Sequence, residues 1–250
     1  MKQIGKIKDQ CKQLRIPAIA DCINAIADQA ASENISYLEF AARLFNEEIR
    51  AREKRSLDRK IKDAQLPLRH DLEIFNCSLV EGISPVLLAQ LKELSWIDQA
   101  ENLVIMGPPG VGKTLLSGGL CHQAILKGYS AYFRSMDQLM TTISRKDTNR
   151  SAAIEYRRLT KANLIVIDDI MMVEPDARRS NAFFHFINDI YEKASIVITT
   201  NKSPKQWVEK LGDEVLTAAI LDRVLHHAAV IKLDGQSQRK LNRKGGQRLL

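Results

Sequence analysis

The sequence is short of several residue types, and each shortage excludes something. Its four cysteines (Cys11, Cys22, Cys77, Cys121) lie far apart, without a CxxC pair or a histidine at ligand spacing. Neither a disulfide framework nor a zinc site is indicated. Aromatic residues make up only 6% of the chain. The two tryptophans, Trp96 and Trp207, are read as core fillers or as part of an adenine pocket rather than as platforms for bases. No stretch approaches the roughly 18 apolar residues of a membrane span. The opening MKQIGKIKDQ is charged and has no apolar core of the kind a signal peptide carries. A cytoplasmic location is expected. Internal repeats and low-complexity segments are also missing. The pair His226-His227 has no third ligand close in sequence, and adjacent residues on a helix face different ways, so a structural or surface role is expected for it.

What is present fits one medium domain and a smaller helical one: 250 residues, 45% of them hydrophobic. The net charge of +7 is unevenly spread, with +4 in residues 1–70, −2 in 71–231 and +5 in 232–250. Between Arg50 and Arg69 eight basic side chains (Arg50, Arg52, Lys54, Arg55, Arg59, Lys60, Lys62, Arg69) face three acidic ones. A polyanion such as double-stranded DNA is the partner such a segment suits, with Arg50, Arg52, Arg55, Arg59 and Lys60 as candidate contacts. A solvated helix face laced with ion pairs is the other reading of the same run.

Apolar residues recur at helical spacing in Ile4, Ile7, Cys11 and Leu14, and again after Pro17 in Ile19, Ile23 and Ile26. Ser36, with Glu39 three residues on, reads as the N-cap of a longer helix whose stripe runs Leu38, Ala42, Phe45, Ile49 and which ends before Pro67. Residues 1–66 are therefore expected to form an all-helical domain that binds DNA or a partner. From about residue 67 to 236 short apolar runs alternate with helical segments. Strands are expected at Leu103–Met106, Ser130–Phe133, Leu164–Ile167, Ile196–Thr200 and Ala229–Leu233. Helices are expected at Lys113–Lys127, Met136–Ser144, Asp176–Glu192 and Glu214–Leu225. That alternation predicts an α/β domain with a parallel, doubly wound sheet. Residues 237–250 read as a basic tail.

The chemistry is carried first by Gly107-Pro108-Pro109-Gly110-Val111-Gly112-Lys113-Thr114, a full match to the P-loop pattern GxxxxGK[ST]. The glycines let successive backbone N–H groups point at phosphates, Lys113 reaches the β and γ phosphates, and Thr114 offers its hydroxyl to Mg²⁺. Leu115 completes the nucleotide-binding run and is expected to face the core. The motif lies between a predicted strand and a predicted helix, as its mechanism requires. Downstream, Leu164-Ile165-Val166-Ile167 ends in Asp168-Asp169. Asp168 is placed to hold the water shell of Mg²⁺ and Asp169 to face the attacking water. Asn201, after the run Ile196–Thr200, either approaches the γ phosphate or caps the turn before Ser203-Pro204. Arg223 either pairs with a carboxylate of its own chain or reaches a neighbouring subunit's ATP.

These segments carry a resemblance. GPPGVGKT, LIVIDD, ITTNKSPKQW and AAILDRVLHHAAVIKLDGQS, in this order, resemble the IstB family, transposition helper ATPases of insertion sequences within the AAA+ class, beside the DnaC helicase loader. YLEFAARLFNEEIRAREKRSLDRKIKDAQLP is similar to that family's amino-terminal helical region. The resemblance implies a P-loop AAA+ ATPase that uses ATP and Mg²⁺, oligomerises on DNA with ATP at subunit interfaces, and delivers target DNA to a transposase. It implies that Asn201 senses the γ phosphate and that Arg223 is an arginine finger supplied to the next subunit. Arg239 lies in the family's segment after the last strand and reads either as a solvated tail residue, the preferred reading, or as one that approaches nucleotide or DNA. Two positions depart from the family pattern: Asp169 stands where the family often has glutamate, and Leu115 where a histidine is expected. The shorter carboxylate implies slow hydrolysis. A DnaC-like helicase loader, and an ATP-switched DNA-binding scaffold that hydrolyses weakly, share the same nucleotide residues and stay open as alternatives.

Overall fold

A computed structural model describes residues 2–170, 177–202, 206–207 and 214–235. Two compact units are present, residues 1–59 and 60–250. Among the described residues no helix is long and apolar enough to cross a membrane.

The first unit is built from α1 (Lys2–Gln13), α2 (Pro17–Glu33) and the start of α3 (Tyr37–Ala64). Pro17 opens α2, where its missing N–H has no intrahelical partner to lose. Arg15 takes a left-handed φ of 57° to turn the chain, and the Ile16 N–H donates to Cys11 O. Cys11, Ile19 and Ala20 are buried together, with Ile16 and Leu44 packed against them. Ser36 caps α3 by accepting from the Glu39 N–H at 3.2 Å. The Glu39 side chain pairs with Arg43.

The second unit is organised on a five-stranded parallel sheet: β1 (Asn102–Met106), β2 (Ala131–Ser135), β3 (Leu164–Asp168), β4 (Ser195–Thr200) and β5 (Ala228–Lys232), in the order β2-β3-β4-β1-β5. The three central strands are almost fully buried and read as continuous apolar runs, as strands covered on both faces must. Around them lie α4 (Pro85–Glu93), α5 (Ser95–Asp98), α6 (Lys113–Leu126), α7 (Met136–Arg145), α8 (Arg150–Leu159), α9 (Ala177–Ile190) and α10 (Glu214–Leu225). On one face Val104, Ile165, Ile167, Ile196 and Ile198 pack with Leu139, Phe183, Phe186, Ile220 and Trp207. Burying an aromatic or branched side chain of this size contributes about 1.5–3 kcal/mol.

α6 packs against β1–β4, and Gly118 and Gly119 let the connecting segment lie on it. A Cβ at Gly118 would stand 2.4 Å from Pro67 Cγ, and one at Gly119 2.4 Å from Leu72 Cδ2. The expected strands and helices are all present among the described residues, with small shifts at their ends; Asp176, expected to open one helix, lies outside those residues. α8 was not expected, because its charged sequence RSAAIEYRRL buries only Leu159 deeply. The order β3-β4-β1 brings the carboxyl ends of three neighbouring strands together, where α/β sheets bind ligands.

Candidate nucleotide-binding site

The site is built on the turn from β1 into α6. A Cβ on Gly107 would stand 2.2 Å from Leu233 O, so only glycine lets the loop pass the end of β5. Gly112, at φ 108°, ends the loop in a left-handed conformation and serves as the N-cap of α6. The first backbone N–H groups of this 14-residue helix have no intrahelical acceptors, and the helix dipole adds partial positive charge there. Such an end accepts an anion, phosphate above all. The Gly107 N–H donates to Thr200 O at 3.2 Å and ties the loop to the end of β4.

Lys113 is buried, and its Nζ donates to Gly107 O at 2.8 Å and Pro108 O at 3.0 Å. The ammonium is thus folded across the loop. Pro108 and Pro109 are exposed, whereas Val111 is buried. Leu115 is half-buried and does not occupy the core; its neighbour Leu116 does, because α6 turns that position toward the sheet.

Thr114 Oγ1 donates to the Asp168 carboxylate, at 3.2 Å to Oδ1 and 3.1 Å to Oδ2. Thr199, fully buried on β4, donates to Asp168 Oδ1 at 2.6 Å and accepts from the Asp169 N–H at 2.9 Å. Burial pushes the Asp168 carboxyl above its ordinary pKa, with the neighbouring Asp169 charge acting the same way. The hydrogen bonds from Thr199 and Thr114 and the charge of Lys113 offset this only in part. Asp169 itself has φ 53°. A non-glycine residue in that region costs about 1–2 kcal/mol, which neighbouring interactions must offset.

Asn201 follows β4 and is exposed; the Lys202 N–H is taken by Thr200 Oγ1 at 3.0 Å. Ser203 and Pro204 lie outside the described residues, as does Arg239. Arg223 is half-buried on α10, with its guanidinium carbon 5.0 Å from the centre of the Phe184 ring and 5.9 Å from that of Tyr191. Its Nη1 donates to Ala219 O at 3.0 Å. These partners belong to α9, its exit and α10 rather than to the phosphate loop.

In the basic segment, Arg52 and Arg55 both pair with the buried Glu48, at 2.9 and 3.1 Å, and Arg50 pairs with Glu47 at 3.0 Å. Lys60 donates to Gly128 O at 2.7 Å, and Arg59 is exposed. His226 and His227 are exposed, the former bonded to Tyr191 Oη, and no metal-binding cluster is found among the described residues. Trp207 fills the core, while Trp96 is half-buried and donates to Leu91 O.

Two polar residues stand in no motif of the sequence. One is Thr199, whose β-branched side chain in a strand looks like ordinary strand propensity. The other is Arg134, 2% exposed on β2, which pairs with Glu155 and donates to Ala64 O at 2.8 Å and Asp63 O at 3.1 Å, capping the end of α3. A lone arginine inside an apolar strand run was the available signal.

The chain is similar to known proteins in sequence and in fold. The family model described as "IstB-like ATP binding protein" matches residues 9–246. The chain is 35% identical over 244 residues to a protein named for ATP binding in an IS21-like insertion sequence of Bacteroides fragilis, covering 98% of this chain and 93% of that protein. It is 32% identical over 235 residues to the corresponding protein of insertion sequence IS21 in Pseudomonas aeruginosa, covering 94% and 89%. Among solved structures, DnaI aligns with a TM-score of 0.56 at 17% identity, over 67% of this chain and 92% of that one. AMPPCP-bound DnaA from Aquifex aeolicus aligns with a TM-score of 0.54 at 20% identity, over 74% and 59%. At these identities the structural likeness establishes the AAA+ fold. The sequence matches go further: the chain belongs to the family of IstB-like ATP-binding proteins of insertion sequences.

Proposed function

We propose that this chain is a Mg²⁺-dependent ATPase of the cytoplasm that assembles on double-stranded DNA with ATP between subunits and delivers that DNA to a transposase. The observation that carries the hydrolytic part is the contact between Thr114 and Asp168. A hydroxyl from the first turn of α6 and a carboxylate from the end of β3 converge within 3.2 Å beside the phosphate-binding helix end. Both are hard oxygen donors, the kind that hold Mg²⁺ through one or two protein groups and several waters. When bound, the ion neutralises charge on the β and γ phosphate oxygens.

The chain's own groups do the rest. Backbone N–H groups of the phosphate loop cradle the phosphates, and Lys113 leaves the carbonyls of Gly107 and Pro108 to meet them. The Asp169 carboxylate orients water for in-line attack and accepts its proton. Asn201 hydrogen-bonds the γ phosphate. Arg223 from the adjoining protomer stabilises charge that develops in the transition state. A ligand that bridges two protomers favours the assembly over free subunits by mass action. Asp169 is one methylene shorter than glutamate, so turnover is slow.

The basic segment from Arg50 to Lys60 supports DNA as the partner. The insertion-sequence names of the relatives support transposition over helicase loading. The test is ATP hydrolysis and sedimentation with and without duplex DNA. The reading expects ATP-dependent complexes on the duplex that disperse as ATP is consumed. DNA binding indifferent to nucleotide would overturn it, and nucleotide-dependent binding without turnover would leave an ATP-switched scaffold.

A further inference from the structure

Thr199 occupies the penultimate position of β4, between β3 and β1, and is fully buried. A buried hydroxyl is costly unless hydrogen-bonded, and Val or Ile would satisfy the strand equally well. Here the hydroxyl is used fully. Its proton goes to Asp168 Oδ1 at 2.6 Å, and its oxygen accepts the Asp169 N–H at 2.9 Å. The main chain of the same residue acts in parallel: Thr199 O accepts from the Ile170 N–H at 3.2 Å. The β3–β4 ladder pairs residues only as far as Ile167 and Ile198. Beyond that point β3 turns away, with Asp169 at φ 53°, and Thr199 receives the N–H groups of both residues that follow Asp168.

We propose that Thr199 is a positioning residue for hydrolysis, fixing through one hydroxyl both the orientation of the Asp168 carboxylate and the turn that sets the Asp169 carboxylate beside it. The proposal rests on the reading of Asp168 as the Mg²⁺-side carboxylate and Asp169 as the water-orienting one. Thr114 holds Asp168 from α6 and Thr199 holds it from β4, so the carboxylate is gripped from two elements. Among the described residues, only Thr199 extends that grip to the next residue. Loss of its hydroxyl frees Oδ1 to rotate and leaves the Asp169 N–H without its acceptor. Phosphate contacts made by α6 and Lys113 do not pass through it.

The experiment compares Thr199→Val, which keeps the shape and removes the hydroxyl, with Thr199→Ser, which keeps the hydroxyl. A fluorescent ADP analogue is titrated in EDTA and then at increasing Mg²⁺, and steady-state hydrolysis is measured separately. In Thr199→Val, affinity in EDTA stays at the parent value. The Mg²⁺ concentration for half-maximal tightening rises about tenfold or more, in the range seen when a partner of a metal ligand is removed. kcat falls with little change in KM for ATP, and Thr199→Ser recovers most of both. An unchanged Mg²⁺ requirement in Thr199→Val, or equal losses in Val and Ser, would overturn the proposal.

Asp168→Asn and Asp169→Asn are measured alongside. If both keep parent Mg²⁺ dependence and turnover, the carboxylate reading falls and takes the role of Thr199 with it. If they lose them while Thr199→Val does not, only Thr199 is refuted. Should Thr199→Val not fold, amide hydrogen exchange on the unaltered chain decides. The Asp169 N–H, although beyond the last ladder pair, exchanges as slowly as the amides of β3, and rapid exchange there would refute its capture by Thr199.

Discussion

The guanidinium of Arg223 lies 5.0 Å from the centre of the Phe184 ring, while its Nη1 donates to Ala219 O at 3.0 Å. Both partners are in its own chain. A cation–π contact at a partly exposed site contributes roughly 0.5–1 kcal/mol. Phosphate oxygens offer shorter, charge-assisted and often bidentate bonds that are about twice as strong as neutral ones. The aromatic seat therefore defines where the arginine rests and is weaker than the phosphate contact proposed for it above.

Arg223→Ala should leave the nucleotide affinity of a lone subunit nearly intact and lower hydrolysis in the assembly on the order of a hundredfold or more. A guanidinium supplied in trans acts on the neighbour's transition state, not on its own ATP. Mixing Arg223→Ala with Lys113→Ala protomers restores some turnover, because interfaces of one orientation then unite an intact phosphate loop with an intact arginine. Mixtures as inactive as either variant, with assembly preserved, would make Arg223 an intramolecular structural residue.

Lys113→Ala removes the only side-chain charge in the phosphate loop and should weaken ATP binding at least about tenfold, the scale of one charge-assisted bond. Among the partners of the ammonium are the neutral carbonyls of Gly107 and Pro108, weaker acceptors than phosphate, so thermal unfolding measured in nucleotide-free buffer should change less than ATP affinity does. Fluorescent ATP titration and a melting curve read the two effects separately. Undiminished turnover would remove Lys113 from the site.

The sheet was legible where burial is two-sided. Leu103–Met106, Leu164–Ile167 and Ile196–Thr200 are continuous apolar runs because helices cover both faces of β1, β3 and β4. The order of the strands was not legible, since no local pattern records that β4 lies between β3 and β1. α8 escaped because its helix buries one deep side chain and otherwise presents charge. In the site, the phosphate loop carries its own signature because backbone geometry demands glycine at fixed spacing. Thr199 carries none: a threonine in a β-branched strand is unremarkable until its hydroxyl is seen between Asp168 and Asp169. The same holds for Phe184 and Tyr191, which meet Arg223 only through the packing of α9 on α10.

The salt dependence of DNA binding separates phosphate-binding side chains from internal partners. Arg52 and Arg55 hold Glu48, so neutralising them also disturbs the helical unit. Lys54 and Arg59 are exposed, and the exposed Arg50 pairs with Glu47, which unlike Glu48 is not buried. Replacing these three with glutamine should reduce the slope of log K against log salt by up to about 0.9 for each phosphate that is no longer neutralised. The measurement is fluorescence anisotropy of a labelled duplex between low and moderate salt. An unchanged slope would make the basic run a solvated helix face.

Glu48 gives the helical unit a pH dependence whose sign follows from its surroundings. Its carboxylate accepts from Arg52, Arg55 and the Ala18 N–H at 2.9 Å, near the start of α2. Burial alone would raise its pKa, but the Arg52 and Ala18 hydrogen bonds, with the charges of Arg52 and Arg55, outweigh it and hold the group below the ordinary glutamate value. A carboxyl depressed in the folded state stabilises that state at every pH above its unfolded pKa, and the contribution disappears as pH falls through the folded value. Arg52 and Arg55 are half exposed, which screens their share, so the main loss is the buried acceptor for Ala18. Glu48→Gln should therefore lower the opening free energy of α2 and α3 by about 1.5–3 kcal/mol at neutral pH, the range for hydrogen bonds to a charged group. Below the folded pKa, where the parent carboxyl is itself protonated, the two proteins should converge. Hydrogen exchange of peptides from residues 17–33 and 37–59, labelled at pH 7 and in acid, reads both values. A difference that persists undiminished in acid would assign the effect to shape rather than charge and refute Glu48 as the anchor of α2.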